Sequence, residues 1–152
     1  MAKLKMKTIS IKDLVEYEKN PRRNDKAVDA VRESIAQFGY INPIIVTDKN
    51  LILAGHTRLK AIKNLGTIDK VDVIVVSGMS EAEEKAFRIA DNRTAEFSEW
   101  DENMLTAEMK AAGDIDWSKF GFKGKELKAL EPAEKCVCPK CGAEWFKTKR
   151  EN

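Results

Sequence analysis

A strand, a tight turn and a helix are indicated by the stretch Leu51-Ile52-Leu53-Ala54-Gly55-His56-Thr57-Arg58-Leu59-Lys60-Ala61-Ile62-Lys63-Asn64-Leu65-Gly66. Residues 51–53 form a compact apolar run that suits a buried strand. After Gly55, apolar side chains recur at the spacing that places them on one helix face, namely at Leu59, Ile62 and Leu65. Gly66 then supplies a helix stop.

The turn at Gly55 has the physical outline of a phosphate site. Glycine lets the backbone approach a ligand closely, and the first N–H groups of a helix lack an intrahelical partner and attract an anion. Arg58 follows one turn into the helix, where its guanidinium can pair with that anion. The plainer alternative is that Gly55 only permits the turn and that His56 and Arg58 are solvated. The stretch alone leaves both interpretations open.

Other segments accompany this Gly-x-x-Arg box in a fixed order. They are Asn20-Pro21-Arg22, the pair Ile35–Gly39 and Pro43–Val46, and the segment Ala90-Asp91-Asn92-Arg93. Together they resemble the ParB/sulfiredoxin superfamily, in which the last segment of partition proteins has the form Glu-Asn-x-x-Arg. This chain departs from that form, with Asp91 for glutamate and a shorter spacing before the arginine.

The resemblance covers most of residues 1–113 and implies a mixed α/β (α+β) domain, in which helices pack on a small mixed sheet. Residues 114–134 begin with dense apolar side chains and are interpreted as a docking segment and linker. Residues 135–152 form a basic tail that carries all three cysteines. The predicted organisation is therefore one domain with an appendage.

The resemblance also implies a nucleotide site, formed by Gly55, His56, Thr57, Arg58, Arg22, Asp91, Asn92 and Arg93. The start of the helix and Arg58 would hold the phosphates of CTP or ATP. Asp91 or Asn92 would hold Mg²⁺ if the altered motif retains that role. The sequence does not choose between the two nucleotides.

The function that the resemblance implies is a nucleotide-dependent module in DNA transactions, either a clamp or switch or an accessory to DNA modification. The residues of these motifs are similar to those of ParB-like domains that occur in phages or that precede DNA methyltransferase domains. The alternatives are a Mg²⁺-dependent DNase, a kinase for free serine, and an adaptor that binds no nucleotide. Sulfinic acid reduction is disfavoured, because His56 and Thr57 stand where sulfiredoxins carry a cysteine.

Charge gives a further expectation about partners. The chain has 27 lysines and arginines against 25 acidic residues. The net charge of the whole chain therefore gives no indication of nucleic-acid binding. Basic residues concentrate in the tail, at Lys135, Lys140, Lys147, Lys149 and Arg150. We expect DNA contact there, with Arg22 and Arg23 contributing, or else simple solvation. No apolar run approaches the roughly 18 residues of a membrane span, and the expected location is the cytoplasm. A homodimer is left open.

The cysteines suggest a metal rather than a disulfide. Cys136, Cys138 and Cys141 lie within six residues, and Cys138-x-x-Cys141 resembles one knuckle of a zinc ribbon. Three thiolates leave a tetrahedral Zn²⁺ one ligand short, and Glu144, water or a second chain could complete it. The alternative is that the cysteines are reduced and bind no metal.

Local patterns predict the other elements. A first strand spans Met6 to Ile11, and Ser10 with Asp13 caps a short helix through Val15 and Tyr17. The next helix starts at Asp25 with Asn24 as its cap and Gly39 as its stop, and its core side chains are Val28, Val31, Ile35 and Phe38.

Two hairpin strands, residues 44–47 and 51–53, lead to Gly55, and Val71–Val76 adds a further strand. Ser80 and Glu83 form a capping box for a helix that leads to Asp91-Asn92-Arg93. Asp101 caps a last helix that Gly113 ends, with core side chains at Trp100, Met104, Leu105 and Met109.

Overall fold

The computed structural model describes residues 2–22 and 24–130, together with the backbone of residues 135–137 and 144–146. Its strands are β1 (Lys3–Ser10), β2 (Ile44–Thr47), β3 (Ile52–Ala54), β4 (Lys70–Ser77), β5 (Lys135–Val137) and β6 (Glu144–Phe146). Its α-helices are α1 (Asp25–Phe38), α2 (His56–Leu65), α3 (Glu81–Ala95), α4 (Glu102–Ala111) and α5 (Lys125–Lys128). Short 3-10 turns occupy Ile11–Asp13 and Trp117–Phe120.

The chain divides into two units. The first comprises Met1–Trp100 with Lys119–Gly121, and the second comprises Asp101–Ser118 with Phe122–Asn152. The first unit contains the four-stranded sheet and helices α1 to α3, and the second contains α4, α5 and the strand pair β5–β6. The end of the ParB-like region at residue 113 stays a prediction.

The sheet of the first unit has the strand order β1-β4-β2-β3. Strands β2 and β3 form an antiparallel hairpin, β4 runs parallel to β2, and β1 runs antiparallel to β4. A parallel pair needs a crossover connection, and α2 supplies it between β3 and β4. The sheet is therefore mixed, which confirms the predicted α+β class.

One core joins this sheet to the helices α1 and α2. Alternate residues of β2 and β4 enter it, as the two-residue period of a strand requires. The helices contribute residues at three- and four-residue spacing. The buried side chains of this cluster are Ile9, Leu14, Val28, Ile35, Ile44, Val46, Ile52, Leu59, Ala61, Ile62, Val71 and Val73.

The capping predicted at the starts of α3 and α4 is confirmed. The Ser80 hydroxyl accepts from the backbone N–H of Glu83, and the Glu83 carboxylate accepts in return from the N–H of Ser80 at 2.7 Å. The Asp101 carboxylate accepts from Asn103 and Met104 at the start of α4. Among the helices of residues 24–130, none is both long and apolar enough for a membrane crossing.

The prediction of a short helix capped by Ser10 and continuing through Tyr17 is wrong. Ser10 does accept from the backbone of Lys12, but the turn ends at Asp13 and Leu14 is extended. Val15 instead forms a parallel bridge with Leu51, because its N–H donates to Asn50 and its carbonyl accepts from Ile52, at 3.0 and 2.9 Å respectively. Backbone pairing with a distant segment thus replaced a second helical turn.

Three predicted core side chains are exposed. Phe38 ends α1 with half its surface exposed and stacks on Phe120 at 5.8 Å between ring centroids. Trp100 is 71% exposed and Met104 is 68% exposed. Met104 belongs to the first turn of α4, whereas Met109, which is buried, follows five residues later and so projects from nearly the opposite side of the helix.

Candidate functional site

Helix α2 begins at a glycine turn. Gly55 precedes it with φ +104°, a backbone conformation that favours glycine. Gly55 has no side chain that could accept from the first N–H groups, and the first turn of α2 contains no acidic residue. The helix dipole and those N–H groups therefore favour a negative group that comes from outside the helix.

Gly55→Ala tests how closely this turn is packed. A Cβ at Gly55 would lie 3.1 Å from both Cγ1 of Ile44 and Nη1 of Arg58. Steric crowding and the positive φ should together lower the free energy of unfolding by roughly 1–3 kcal/mol, measured by urea denaturation. Gly66→Ala is the matched control, since φ there is +70° and a Cβ would have nothing within 4 Å. Equal losses in the two variants would contradict the crowding at Gly55.

The guanidinium of Arg58 lies close to this turn. Its guanidinium donates to the carbonyl of Pro43 at 2.6 Å. Burial lowers the pKa of Arg58 from its ordinary value, while Tyr40 and Asp91 raise it. A guanidinium carries five N–H donors and stays charged in proteins, so a half-buried one can pair with an additional anion.

Two hydrogen bonds fix the first turn of α2 from outside. The amide of Asn24 donates to the hydroxyl of Thr57 at 2.5 Å, so Asn24 does not cap α1 with its side chain as predicted. The backbone N–H of Tyr17 donates to Nε2 of His56 at 3.3 Å. His56 and Thr57 thus hold the loops before α1 against α2, in addition to any contact with a ligand.

His56 should make stability depend on pH. Burial lowers its pKa, Glu16 raises it, and Arg88 and Lys60 lower it. The unfolded chain then binds a proton at a higher pH than the folded chain, so the stability is present above about pH 6.5 and is lost as pH falls through the lowered pKa. We expect the urea concentration at the unfolding midpoint to decrease as the pH is lowered from about 7 to about 5.5.

His56→Gln is the control for that prediction, because His56 is the only histidine of the chain. A glutamine oxygen can accept from Tyr17 but does not titrate in this range. The urea midpoint of this variant should change much less over the same pH interval. An equal change in both proteins would assign the pH dependence to other groups.

Arg22 and Asn92 are joined by hydrogen bonds. Nη1 of Arg22 donates to the side-chain oxygen of Asn92 at 2.8 Å and to its backbone carbonyl at 3.3 Å. The Asn92 amide nitrogen donates to the carbonyl of Arg88 at 2.7 Å. Residues 70 positions apart in the chain are thereby joined. Arg23 lies outside the described residues.

These side chains line one cleft of about 390 Å³. Of the predicted site residues it brings together Arg22, Gly55, His56, Thr57, Arg58, Asp91 and Asn92. The cleft also contains Lys26, so among its described lining residues there are three arginine or lysine side chains and one carboxylate, that of Asp91. The excess of positive charge suits an anionic ligand.

Arg93 does not line this cleft. Its guanidinium pairs with Glu96 at 2.7 Å and lies over the Phe97 ring at 4.7 Å from the centroid. Arg93 instead lines an adjacent pocket, which it shares with Arg22 and Asn92.

Arg88 was not among the residues predicted from the sequence. Only 4% of its surface is exposed, and Nε donates to the carbonyl of Ile52 at 3.2 Å. Its guanidinium also contacts Glu84 at 3.4 Å and lies 4.0 Å from the centroid of the Tyr17 ring. A signal was present, because Glu84, Arg88 and Asn92 recur every four residues and so share one face of α3.

The metal predictions have unequal support. Asp91 offers a carboxylate in the cleft, whereas the Asn92 side-chain oxygen already accepts from Arg22. Residues 2–22 and 24–130 contain no group of three His, Cys, Asp or Glu side chains that could hold a metal ion. Cys138 and Cys141 lie outside the described residues, as does the side chain of Cys136. The zinc knuckle stays a prediction.

The mixed sheet and the glycine turn define the class of protein, an α+β domain with a basic cleft at a helix N-terminus. The sequence profile of the ParB N-terminal domain matches residues 1–93. This match extends over more than half of the chain. The chain therefore belongs to the ParB N-terminal domain family.

Two relatives support this membership. The ParB-like nuclease domain-containing protein YnaK of Escherichia coli is 37% identical over 84 residues, which are 55% of this chain and 95% of YnaK. The probable chromosome-partitioning protein ParB of Campylobacter jejuni is 47% identical over 51 residues. That second match covers 30% of this chain and only 18% of the Campylobacter protein.

Solved structures show the same fold. The C-terminally truncated ParB of Caulobacter crescentus, complexed with CTP-gamma-S, superposes with a TM-score of 0.60 at 19% identity, over 83% of this chain and 70% of that one. A Pnob8-like ParB-N domain superposes with a TM-score of 0.53 at 19% identity, over 96% of this chain and 58% of that one. These identities are low, so the likeness concerns the fold alone.

Proposed function

We propose that this chain binds a nucleoside triphosphate in the cleft at Gly55 and uses that binding in a DNA transaction, as a clamp or switch or as an accessory to DNA modification. The supporting observation is the cleft itself, which combines the start of α2 with Arg22 and Arg58 and contains a single carboxylate. Phosphates are the anions that such helix N-termini commonly bind.

Four residues of the cleft have a definite part in this proposal. The N–H groups of the first α2 turn donate to phosphate oxygens, and Gly55 lets the phosphate approach the backbone. Arg58 supplies a charge-assisted bond from a position already fixed by Pro43. Arg22, held by Asn92, closes the opposite side. Asp91 would contribute a ligand to a Mg²⁺ ion that binds mainly through phosphates and water.

CTP is the first nucleotide to test. The Caulobacter ParB structure contains CTP-gamma-S, and this chain shares its fold. ATP remains the alternative, because the contacts proposed above involve the phosphates and not the base. The partner DNA is suggested by the Campylobacter relative, whose name describes chromosome partitioning.

A nuclease is the second candidate, suggested by the name of YnaK. Metal-dependent hydrolysis of DNA commonly uses carboxylates to position metal ions near the attacking water. Asp91 is the one carboxylate among the cleft residues, so we place this function second. DNA contact through the basic tail stays a prediction, since residues 147–152 lie outside the described part of the chain.

Calorimetric titration of CTP, ATP and GTP, each with Mg²⁺, tests the proposal. We expect saturable binding of CTP or ATP, and tighter DNA association when that nucleotide is present. The same mixtures can then be analysed for nucleotide hydrolysis, DNA nicking and phosphorylation of serine. Nicking without nucleotide binding would favour the nuclease. Binding of none of the three nucleotides would overturn the proposal and favour the adaptor.

A further inference from the structure

Strand β1 presents a free edge of the sheet. It is eight residues long and pairs with β4 on one side. The strand order places it at the end of the sheet, and no other described strand pairs with it. Its outer N–H and C=O groups are therefore positioned to pair with an added strand.

The side chains of this edge alternate between basic and apolar residues. Lys3, Lys5 and Lys7 are exposed and alternate with Leu4 and Met6, which are 70% and 65% exposed. Alternation in a strand places the three lysines on one face and the two apolar side chains on the other. The edge thus combines a row of positive charge with a strip of apolar surface.

Strand β4 does not neutralise these lysines. Its residues opposite Lys3, Lys5 and Lys7 are Ser77, Val75 and Val73. Its one acidic residue, Asp72, lies opposite Thr8 and accepts a hydrogen bond from the Thr8 hydroxyl at 2.6 Å. None of the ion pairs formed by the described residues includes a lysine of β1.

The charge decides which strand can be added. A second copy of β1 that pairs with both lysine rows on one face would bring lysines against lysines, and like charges on neighbouring strands repel. Lysine on an edge strand commonly prevents such self-association. The basic tail of the chain would meet the same repulsion. An acidic strand would instead gain charge pairs along with its backbone hydrogen bonds.

We propose that β1 binds an extended acidic segment of a partner protein as an additional antiparallel or parallel strand. Acidic side chains at alternate positions would face Lys3, Lys5 and Lys7, and apolar side chains at the intervening positions would cover Leu4 and Met6. This is recognition by strand addition, in which the backbone supplies affinity and alternate side chains supply specificity. None of the β1 residues lines the nucleotide cleft, so the surface is separate from the proposed function.

A labelled synthetic peptide that alternates glutamate and valine tests this inference by fluorescence polarisation. We expect saturable binding and slower hydrogen exchange of the backbone of residues 3–10. The variant Lys3→Glu/Lys5→Glu/Lys7→Glu should bind the peptide about tenfold or more weakly, because each attraction becomes a repulsion. The same variant should bind a lysine-valine peptide better than wild type does. The control Lys19→Glu/Lys49→Glu/Lys110→Glu has the same net charge and should retain most of the binding.

Backbone methylation of the peptide separates strand addition from general attraction of charges. An added strand uses every second N–H, so N-methyl groups on one alternate set should abolish binding while those on the other set should not. Equal effects of both sets would overturn the proposal, as would no detectable binding at about 1 mM peptide. Preferential binding of a single-stranded DNA oligonucleotide that depends on the same lysines would instead assign the surface to nucleic acid.

Discussion

Arg58→Ala is expected to abolish measurable nucleotide binding. The side chain lies one turn into α2, lines the cleft and is fixed by its bond to Pro43. Loss of a charge-assisted contact to a partly desolvated phosphate should cost roughly 2–5 kcal/mol, which weakens binding about 30-fold to several thousand-fold. A solvated arginine would predict almost no change. Calorimetric titration of the nucleotide that wild type binds distinguishes the two.

Two control variants accompany Arg58→Ala. Arg93→Ala removes an exposed arginine that pairs with Glu96 outside the cleft, and its nucleotide affinity should stay near that of wild type. Arg58→Lys keeps the charge but loses the planar fork of donors, so it should bind at an intermediate level. Circular dichroism must show all variants equally folded. An Arg58→Ala protein that binds as well as wild type would show the phosphate assignment to be wrong.

Arg88→Ala should produce the largest loss of stability. The variant leaves the carbonyl of Ile52 without its donor and Glu84 without its cation, and it removes the group that lies over Tyr17. Breaking a buried pair by deleting one partner costs about 3–5 kcal/mol. The free energy of unfolding, measured in urea, should fall by that amount, and the backbone N–H of Tyr17 should exchange faster.

Two further variants locate the cause of that loss. Arg88→Met keeps much of the volume, so a smaller loss there would separate packing from charge and hydrogen bonding. Arg93→Ala removes an exposed arginine from the same helix and should change stability by about 1 kcal/mol or less. If Arg88→Ala were no more destabilising than Arg93→Ala, the buried contacts of Arg88 would not support the fold.

The sequence predicted those parts of the fold that depend on neighbouring residues. Helix α2 starts after Gly55 and ends before Gly66, because a positive φ is needed at both of its ends. The capping box of Ser80 and Glu83 starts α3 through contacts within one turn. The apolar runs of β2 and β4 are likewise local, and they predicted two strands that the structure pairs in one sheet.

The rest depends on partners that are distant in the chain. Asn24 has the chemistry of a helix cap, yet its amide bonds to Thr57, 33 residues away. Arg22 was assigned to the pocket by resemblance, but its partner Asn92 could not be deduced from the pattern around either residue. Arg88 was missed because a charged residue between Phe87 and Ile89 suggests solvent exposure unless its distant acceptors are known.

The strand order also has a consequence for how the chain folds. The β2–β3 hairpin and α2 are contiguous, so the turn that carries Gly55 can form from local contacts. Strand β1 is synthesised first, but it can pair only after β4 is present. Lys3 pairs with Ser77, which lies 74 residues later in the chain. Closure of long loops is slow compared with local contacts. During synthesis we therefore expect β1 to be the last strand to join the sheet, and pulse-labelled hydrogen exchange should show protection of residues 44–62 before residues 3–10.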